Sequence, residues 1–303
     1  MVQKKGKLTI DLTGIRLYVL SQCSCCQTDY KTRYGKWAVI SGSTDGIGLA
    51  MARELARRGH SIVLMGRSEE KLANAKASVE SEPNVGEVIT VKSDLSDAST
   101  ANFERIKNDI DPDNREIGIL INNAGIFPEA FIPFQSHSME SLRGAVNLND
   151  LAILYLTHMT LPGMVTRGKG LVVNVSSIFG DLPGPFVGAY APTKAFVNSF
   201  SEGLRTEYEP LGVDVINITP GPVFTKQFKA ANKIDRASFV NPTAETFARS
   251  AINALSTRIA SFCGVPMHEF TLLSGKSIKC LGLYDFTLKN SLKFSANRYS
   301  FKP

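Results

Sequence analysis

Six short runs of the chain are apolar almost without interruption and rich in β-branched residues: Trp37 to Ile40, Ser61 to Met65, Val88 to Val91, Ile117 to Ile121, Leu171 to Val175 and Val213 to Ile218. Runs of this kind, lacking the alternation of a half-exposed strand, predict strands covered on both faces. Between them the period changes. Leu49, Ala52, Leu55 and Ala56 share one helical face that Gly59 brings to a stop, and residues 69–80 and 99–110 predict two more helices. Met139 to Leu161 predicts a long apolar helix ended by Leu161-Pro162-Gly163, another helix opens at Tyr190, and Asn241-Pro242-Thr243 starts a last one through Ala254. Strands alternating with helices predict an α/β fold, a single doubly wound Rossmann-type domain with a parallel sheet. The periodicity bounds it at 36–263, between an N-terminal extension (1–35) and a C-terminal extension (264–303).

Open parallel sheets bind ligands beyond the carboxyl ends of their strands, and the residues at those ends are informative. The first strand runs into Gly42, Ser43, Gly46, Ile47 and Gly48, a glycine turn that opens a helix. Missing side chains let such a turn close and let the backbone and helix N-terminus approach a pyrophosphate. The second strand ends at Gly66-Arg67, where an acid would bind ribose hydroxyls and a guanidinium suits a 2′-phosphate, so the cofactor is predicted to be NADP(H). The third ends at Asp94 and Leu95, with an Asp-capped turn as the plainer reading, and the fourth at Asn122-Asn123-Ala124-Gly125. After the fifth come Ser176-Ser177, and thirteen residues beyond Ser177 lies Tyr190, four before Lys194. On a helix those two share a face. A cation roughly 4 Å from a phenol at an effective dielectric near 20 is worth about 4 kcal/mol toward tyrosinate, enough to bring a group of ordinary pKa about 10 near neutrality. By itself Tyr-x-x-x-Lys is also a common chance spacing.

Taken together these motifs resemble the short-chain dehydrogenase/reductase family. The resemblance runs from about Tyr34 to Met267 and implies roles: Ser177 orients a substrate carbonyl, Tyr190 passes the proton, and Lys194 holds the nicotinamide ribose and lowers the Tyr pKa. It further implies that Asn147, in Val146-Asn147-Leu148, holds a water on the proton path. Asp94 and Leu95 would lie along the adenine, Asn123, Ala124 and Gly125 beside the cofactor, and Pro220, Gly221, Val223 and Thr225 would receive the carboxamide. Thr44 to Gly48, Leu161-Pro162-Gly163-Met164, Thr225-Lys226 and Thr243 to Phe247 resemble one branch: 17β-hydroxysteroid dehydrogenases of the testosterone-forming type and very-long-chain 3-oxoacyl-CoA reductases, with an inactive hydroxysteroid dehydrogenase-like member. Ser41 stands where the family usually has Thr, and Pro192 lies inside the Tyr-x-x-x-Lys segment.

Composition alters this picture only at the edges. With 43% apolar and 20% charged residues, the 303-residue chain is ordinary for a globular protein. Its net charge of +6 is uneven, with +5 in residues 1–36, +4 in residues 264–303 and −3 between. Basic ends permit contact with an anionic membrane surface, although solvated tails read the same way. No basic helix with interleaved aromatics suggests nucleic acid, and no Cys or His spacing suggests a metal. The five cysteines, Cys23, Cys25, Cys26, Cys263 and Cys280, are an odd number and fit a reducing compartment better than a disulfide framework; the first three could accept palmitate. No apolar run reaches a transmembrane length. The branch is typically anchored in the endoplasmic reticulum, which the resemblance implies here; a cytoplasmic location is the alternative.

The sequence therefore predicts an NADPH-dependent reductase of a hydrophobic ketone, a 17-ketosteroid or a long-chain 3-oxoacyl-CoA, with a homodimer as an option. Ile178, Phe179, Leu182 and Phe186 are the expected apolar wall, and Lys226, Lys229, Lys233 and Arg236 a hint of an anionic substrate head. The rival class is a cofactor-binding scaffold without activity, and the lack of a G-x-S-x-G elbow argues against a serine hydrolase.

Overall fold

The computed structural model describes residues 29–111, 115–127, 132–232, 236–265, 267–269 and 271–273. The six predicted strands form as β1 (Trp37–Ile40), β2 (Ser61–Gly66), β3 (Val88–Lys92), β4 (Ile117–Asn122), β5 (Gly170–Val175) and β6 (Val213–Ile218). A two-residue β7 (Ser261–Phe262), too short for any periodicity, completes an all-parallel sheet of order β3-β2-β1-β4-β5-β6-β7. Consecutive strands run one way from β1 to β3 and the other way from β4 onward. The crevice between β1 and β4 is therefore the place where loops diverge and a ligand can enter.

Alternate residues of each strand serve opposite faces. Ala38, Ile40, Ile62, Leu64, Ile119, Ile121, Leu171 and Val173 pack on one side with α2 (Gly46–Arg57), α3 (Glu69–Glu80) and α8 (Ala244–Ala254). Val39, Val63, Leu120, Val172 and Val215 pack on the other with α4 (Thr100–Ile110), α6 (Ala152–Arg167) and α7 (Tyr190–Tyr208). Side-chain caps from Asp45, Ser68, Ser99 and Thr243 start four of these helices by accepting first-turn N–H groups.

Three expectations are corrected. The helix from Met139 is broken into α5 (Met139–Val146), a π-turn at Asn147–Leu151 and α6. Pro162 does not end it, because burial of Leu161 and Met164 draws the helix on to Arg167, where Gly168 at φ 61° closes it; Pro162 itself sits on the exposed side, where water can satisfy the freed carbonyl. Finally, the domain outgrows its predicted limits at both ends. Upstream, α1 (Tyr30–Tyr34) buries both tyrosines, with Tyr34 Oη donating to Asp214 at 2.8 Å and Tyr30 Oη to the Ile252 carbonyl at 2.7 Å. Downstream, Val265, His268 and Leu272 are buried, so the folded unit continues past Cys263. The expectations for Cys23, Cys25, Cys26, Cys280, Lys233 and most of both extensions lie outside the described residues. Among the described residues, no helix is long and apolar enough to cross a membrane.

Candidate active site

At the carboxyl ends of β1, β2, β4, β5 and β6 lies a cavity of about 780 Å³. Its floor on the β1–β4 side is backbone. The Ser41 hydroxyl accepts the N–H groups of Asn123 and Ala124, both at 3.0 Å, and the Asn123 carboxamide donates to the carbonyls of Ser41 and Gly42, both at 3.1 Å. The two loops are stitched so closely that a Cβ on Gly42, which also sits at φ +63°, would meet Ala124 Cα at 2.8 Å. This cradle, exposing amides at the N-terminus of α2, suits a pyrophosphate and admits no larger residue at Gly42.

Most residues predicted for a cofactor line this cavity: Gly42, Gly46, Ile47, Arg67, Leu95, Asn123, Ala124, Gly125, Pro220, Gly221, Val223 and Thr225. Three do not. Ser43 is buried and accepts the Met65 N–H at 2.9 Å, pinning the glycine turn to β2. Gly48 faces Asn123 and Gly42, where it lets the turn close on α2. Asp94 spends its carboxylate on the Ser96 N–H at 3.0 Å, the plain capped turn that its residue type suggested.

At the other end of the cavity, β5 delivers Ser176 and Ser177, and the first turn of α7 delivers Tyr190 and Lys194. Pro192 is accommodated because it falls within that first turn, where its missing N–H has no intrahelical acceptor. Lys194 is 4% exposed; its Nζ donates to the Val175 carbonyl at 2.9 Å, and the Ser176 hydroxyl donates to the Lys194 carbonyl at 2.8 Å. Its Nζ lies 5.7 Å from the centre of the Tyr190 ring. Burial lowers the Lys194 pKa to about 8, partly opposed by the charge of Asp150. The Tyr190 phenol is raised by burial, with a hydrogen bond involving Ser177 working the other way. The ammonium turns to the Val175 carbonyl, and desolvation of the phenol works against the expected lowering of its pKa by the lysine. Phe127 and Phe179 stand edge-on to the phenol, with centroids 4.7 and 6.1 Å away, and keep this end apolar.

The asparagine beside this centre is Asn149 and not Asn147. Asn147 does not line the cavity and donates to the Ser96 carbonyl at 3.0 Å. Asn149, fully buried, accepts the Ile126 N–H at 2.9 Å and donates to Thr193 Oγ1 at 3.0 Å, and its Oδ1 and Lys194 Nζ flank Gly125. The π-turn inserts an extra residue, which moves the inward face along the chain; a periodicity reading has no signal for that. Of the expected apolar wall, Ile178 and Phe179 line the cavity while Leu182 and Phe186 do not; Thr44, Phe127, Leu148 and Thr271 were missed. Lys226 also lines it, paired with Asp45 at 2.9 Å.

Residues 36–235 match the family model described as short chain dehydrogenase. The chain belongs to this family. It is 40% identical over 237 residues to the very-long-chain 3-oxoacyl-CoA reductase of Mus musculus, covering 76% of this chain and 72% of that one. To the hydroxysteroid dehydrogenase-like protein 1 of Gallus gallus it is 39% identical over 241 residues, covering 80% and 71%. Among solved structures, a short-chain dehydrogenase from Sphingobium yanoikuyae in complex with NADPH superposes with a TM-score of 0.69 at 29% identity, covering 82% of this chain and 95% of that one. The protein is an oxidoreductase of the short-chain dehydrogenase family, with a fold that binds a nicotinamide cofactor.

The buried cation has a measurable cost. Between a folded pKa of about 8 for Lys194 and the ordinary lysine value, the unfolded chain holds more protons than the native state, so stability rises with pH across that window. Below it the cost is fully present. Lys194→Met is expected to raise Tm at pH 7 by roughly 2–6 °C, and calorimetry across pH should show this advantage shrinking as pH climbs through about 8. A variant less stable than the parent at pH 7 would contradict the assignment.

Proposed function

We propose that the protein is an NADPH-dependent reductase that converts the keto group of a long-chain 3-oxoacyl-CoA to a hydroxyl. The observation that carries this reading is the convergence of Ser177, Tyr190 and Lys194 at the aromatic end of a cavity whose other end is a glycine cradle. NADPH, when bound, supplies the hydride. Tyr190 would give its phenolic proton to the substrate oxygen while the Ser177 hydroxyl holds that oxygen in place. A phenol kept protonated by burial is the form that reduction requires. Lys194 would then return a proton to Tyr190, and its lowered pKa makes that release easier near neutrality. Asn149, fixed to Ile126 and Thr193, takes the place expected of Asn147 in setting the geometry around Lys194.

The acyl chain is supported by the apolar wall of Phe127, Ile178, Phe179 and Phe228 and by the names of the relatives. The preference for NADPH is supported by Arg67 at the cavity wall and by steric exclusion: a Cβ on Gly66 would stand 2.5 Å from Thr44 Cγ2, so an acid cannot take that position while Thr44 stays put. The location at the endoplasmic reticulum implied by the resemblance belongs to this reading too.

Purified protein is expected to oxidise NADPH with a long-chain 3-oxoacyl-CoA, and Tyr190→Phe should lower turnover by roughly 10²–10⁴-fold while leaving NADPH binding in place. Turnover of androstenedione or estrone in place of the thioester would shift the substrate to a steroid; tight NADPH binding with no turnover would favour the inactive scaffold. Arg67→Gln should cut the preference for NADPH over NADH about tenfold in kcat/KM, the worth of one charge-assisted contact. Asn149→Ala should reduce kcat on the order of 10²-fold through lost positioning, whereas Asn147→Ala leaves it nearly unchanged; the reverse ranking would restore Asn147.

A further inference from the structure

His268 is wholly buried and has no part in the chemistry above. It sits on a helical turn at residues 267–269, beyond the last strand. The Gly221 N–H donates to its Nδ1 at 3.1 Å, and its Nε2 lies 3.1 Å from both the Pro222 and the Val240 carbonyls. Carbonyls only accept, so Nε2 carries the proton; Nδ1 accepts an amide, so it carries none. The three contacts admit the neutral Nε2–H tautomer alone. Burial lowers the His268 pKa, in keeping with that form. The fit is close, for a Cβ on Gly221 would come within 2.7 Å of the imidazole Cδ2.

The groups held by this ring belong to two pieces of the cavity wall, and the segment that carries the ring supplies a third. Gly221 and Pro222 line it directly, Asn241 next to Val240 lines it, and so does Thr271 from the segment that carries His268. Proline has no N–H, so between Thr219 and Val223 the loop owns a single backbone donor, that of Gly221, and it is committed to His268. On its other side the loop is held by the Ile178 N–H, which donates to the Pro220 carbonyl at 3.0 Å. A second tether fixes the turn itself: Glu269 Oε2 accepts the Cys263 N–H at 2.9 Å.

We propose that His268 is a positioning residue for the nicotinamide half of the cofactor, clamping the Pro220–Pro222 loop and the Val240–Asn241 rim at a fixed spacing from Tyr190 and Lys194. This rests on the cofactor reading given above. The imidazole touches no reacting atom; it sets where the loop backbone stands, so that the nicotinamide meets a preformed edge and pays no ordering cost on entry.

The test separates the two halves of the cofactor. His268→Phe keeps a ring of similar size and loses all three hydrogen bonds; His268→Asn retains an acceptor near the Nδ1 position. Dissociation constants for NADPH and for adenosine 2′,5′-bisphosphate, which lacks the nicotinamide half, would be measured by calorimetry, with hydrogen exchange of residues 219–223 in the ligand-free protein. His268→Phe is expected to weaken NADPH roughly tenfold, as for one lost hydrogen bond, to leave the bisphosphate nearly unaffected and to speed exchange at Gly221, with His268→Asn in between. Unchanged NADPH affinity in both variants overturns the proposal, and so does an equal loss of both ligands, which marks a general loosening. If His268→Phe does not fold, His268→Asn carries the same comparison. Should the parent protein bind neither ligand, the cofactor reading falls and the role of His268 toward nicotinamide falls with it; retained binding with unaltered variants rejects the positioning role alone.

Discussion

A charged amine left only 4% exposed at the wall of the cavity is the constraint around which the site is arranged. Lys194 survives burial because its ammonium has the Val175 carbonyl to donate to, and because the carbonyl of the same residue receives the Ser176 hydroxyl. That exchange joins the tip of β5 to the first turn of α7. It demands that β5 be central, and the sheet supplies this: β4 and β6 flank it along its length, and helices cover both faces. Apolar packing closes the space, and the lysine is tolerated inside it because every step of the enclosure leaves it one good acceptor.

Polar side chains carry order from this point into the rest of the sheet. Asn122 on β4 donates to Asn174 on β5 at 2.8 Å, and Asn174 donates to Ser201 on α7 at 2.9 Å. Buried networks of this kind fix register, since a slip by one residue would strand each amide in an apolar layer. Ser41 and Asn123 repeat the device between β1 and β4, so the crevice of the strand reversal is held at a constant width. The catalytic end and the cradle end are two outcomes of one rigid frame.

Much of this was legible because it depends on residue type at fixed spacing. Unbroken β-branched runs marked six strands, and glycines at strand ends marked the turns where backbone must approach backbone. What escaped depends on geometry that spacing does not encode. Asn147 and Asn149 are two residues apart and chemically identical, and only the π-turn decides which faces Lys194. Pro162 looked like a terminus because its propensity is local, whereas the burial of Met164 is a tertiary fact. A four-residue spacing likewise fixes a shared helix face for Tyr190 and Lys194 but not the direction of a flexible amine, which here turns to the Val175 carbonyl. His268 lies where periodicity fades, and its value comes from partners 28 and 47 residues away in the chain.

The closeness of Gly66 to Thr44 ties the end of β2 to the glycine turn. A Cβ at position 66 would stand 2.5 Å from the threonine methyl, so any side chain there must displace that of Thr44. The two positions are therefore coupled: a side chain at 66 is accommodated more readily beside a smaller residue at 44.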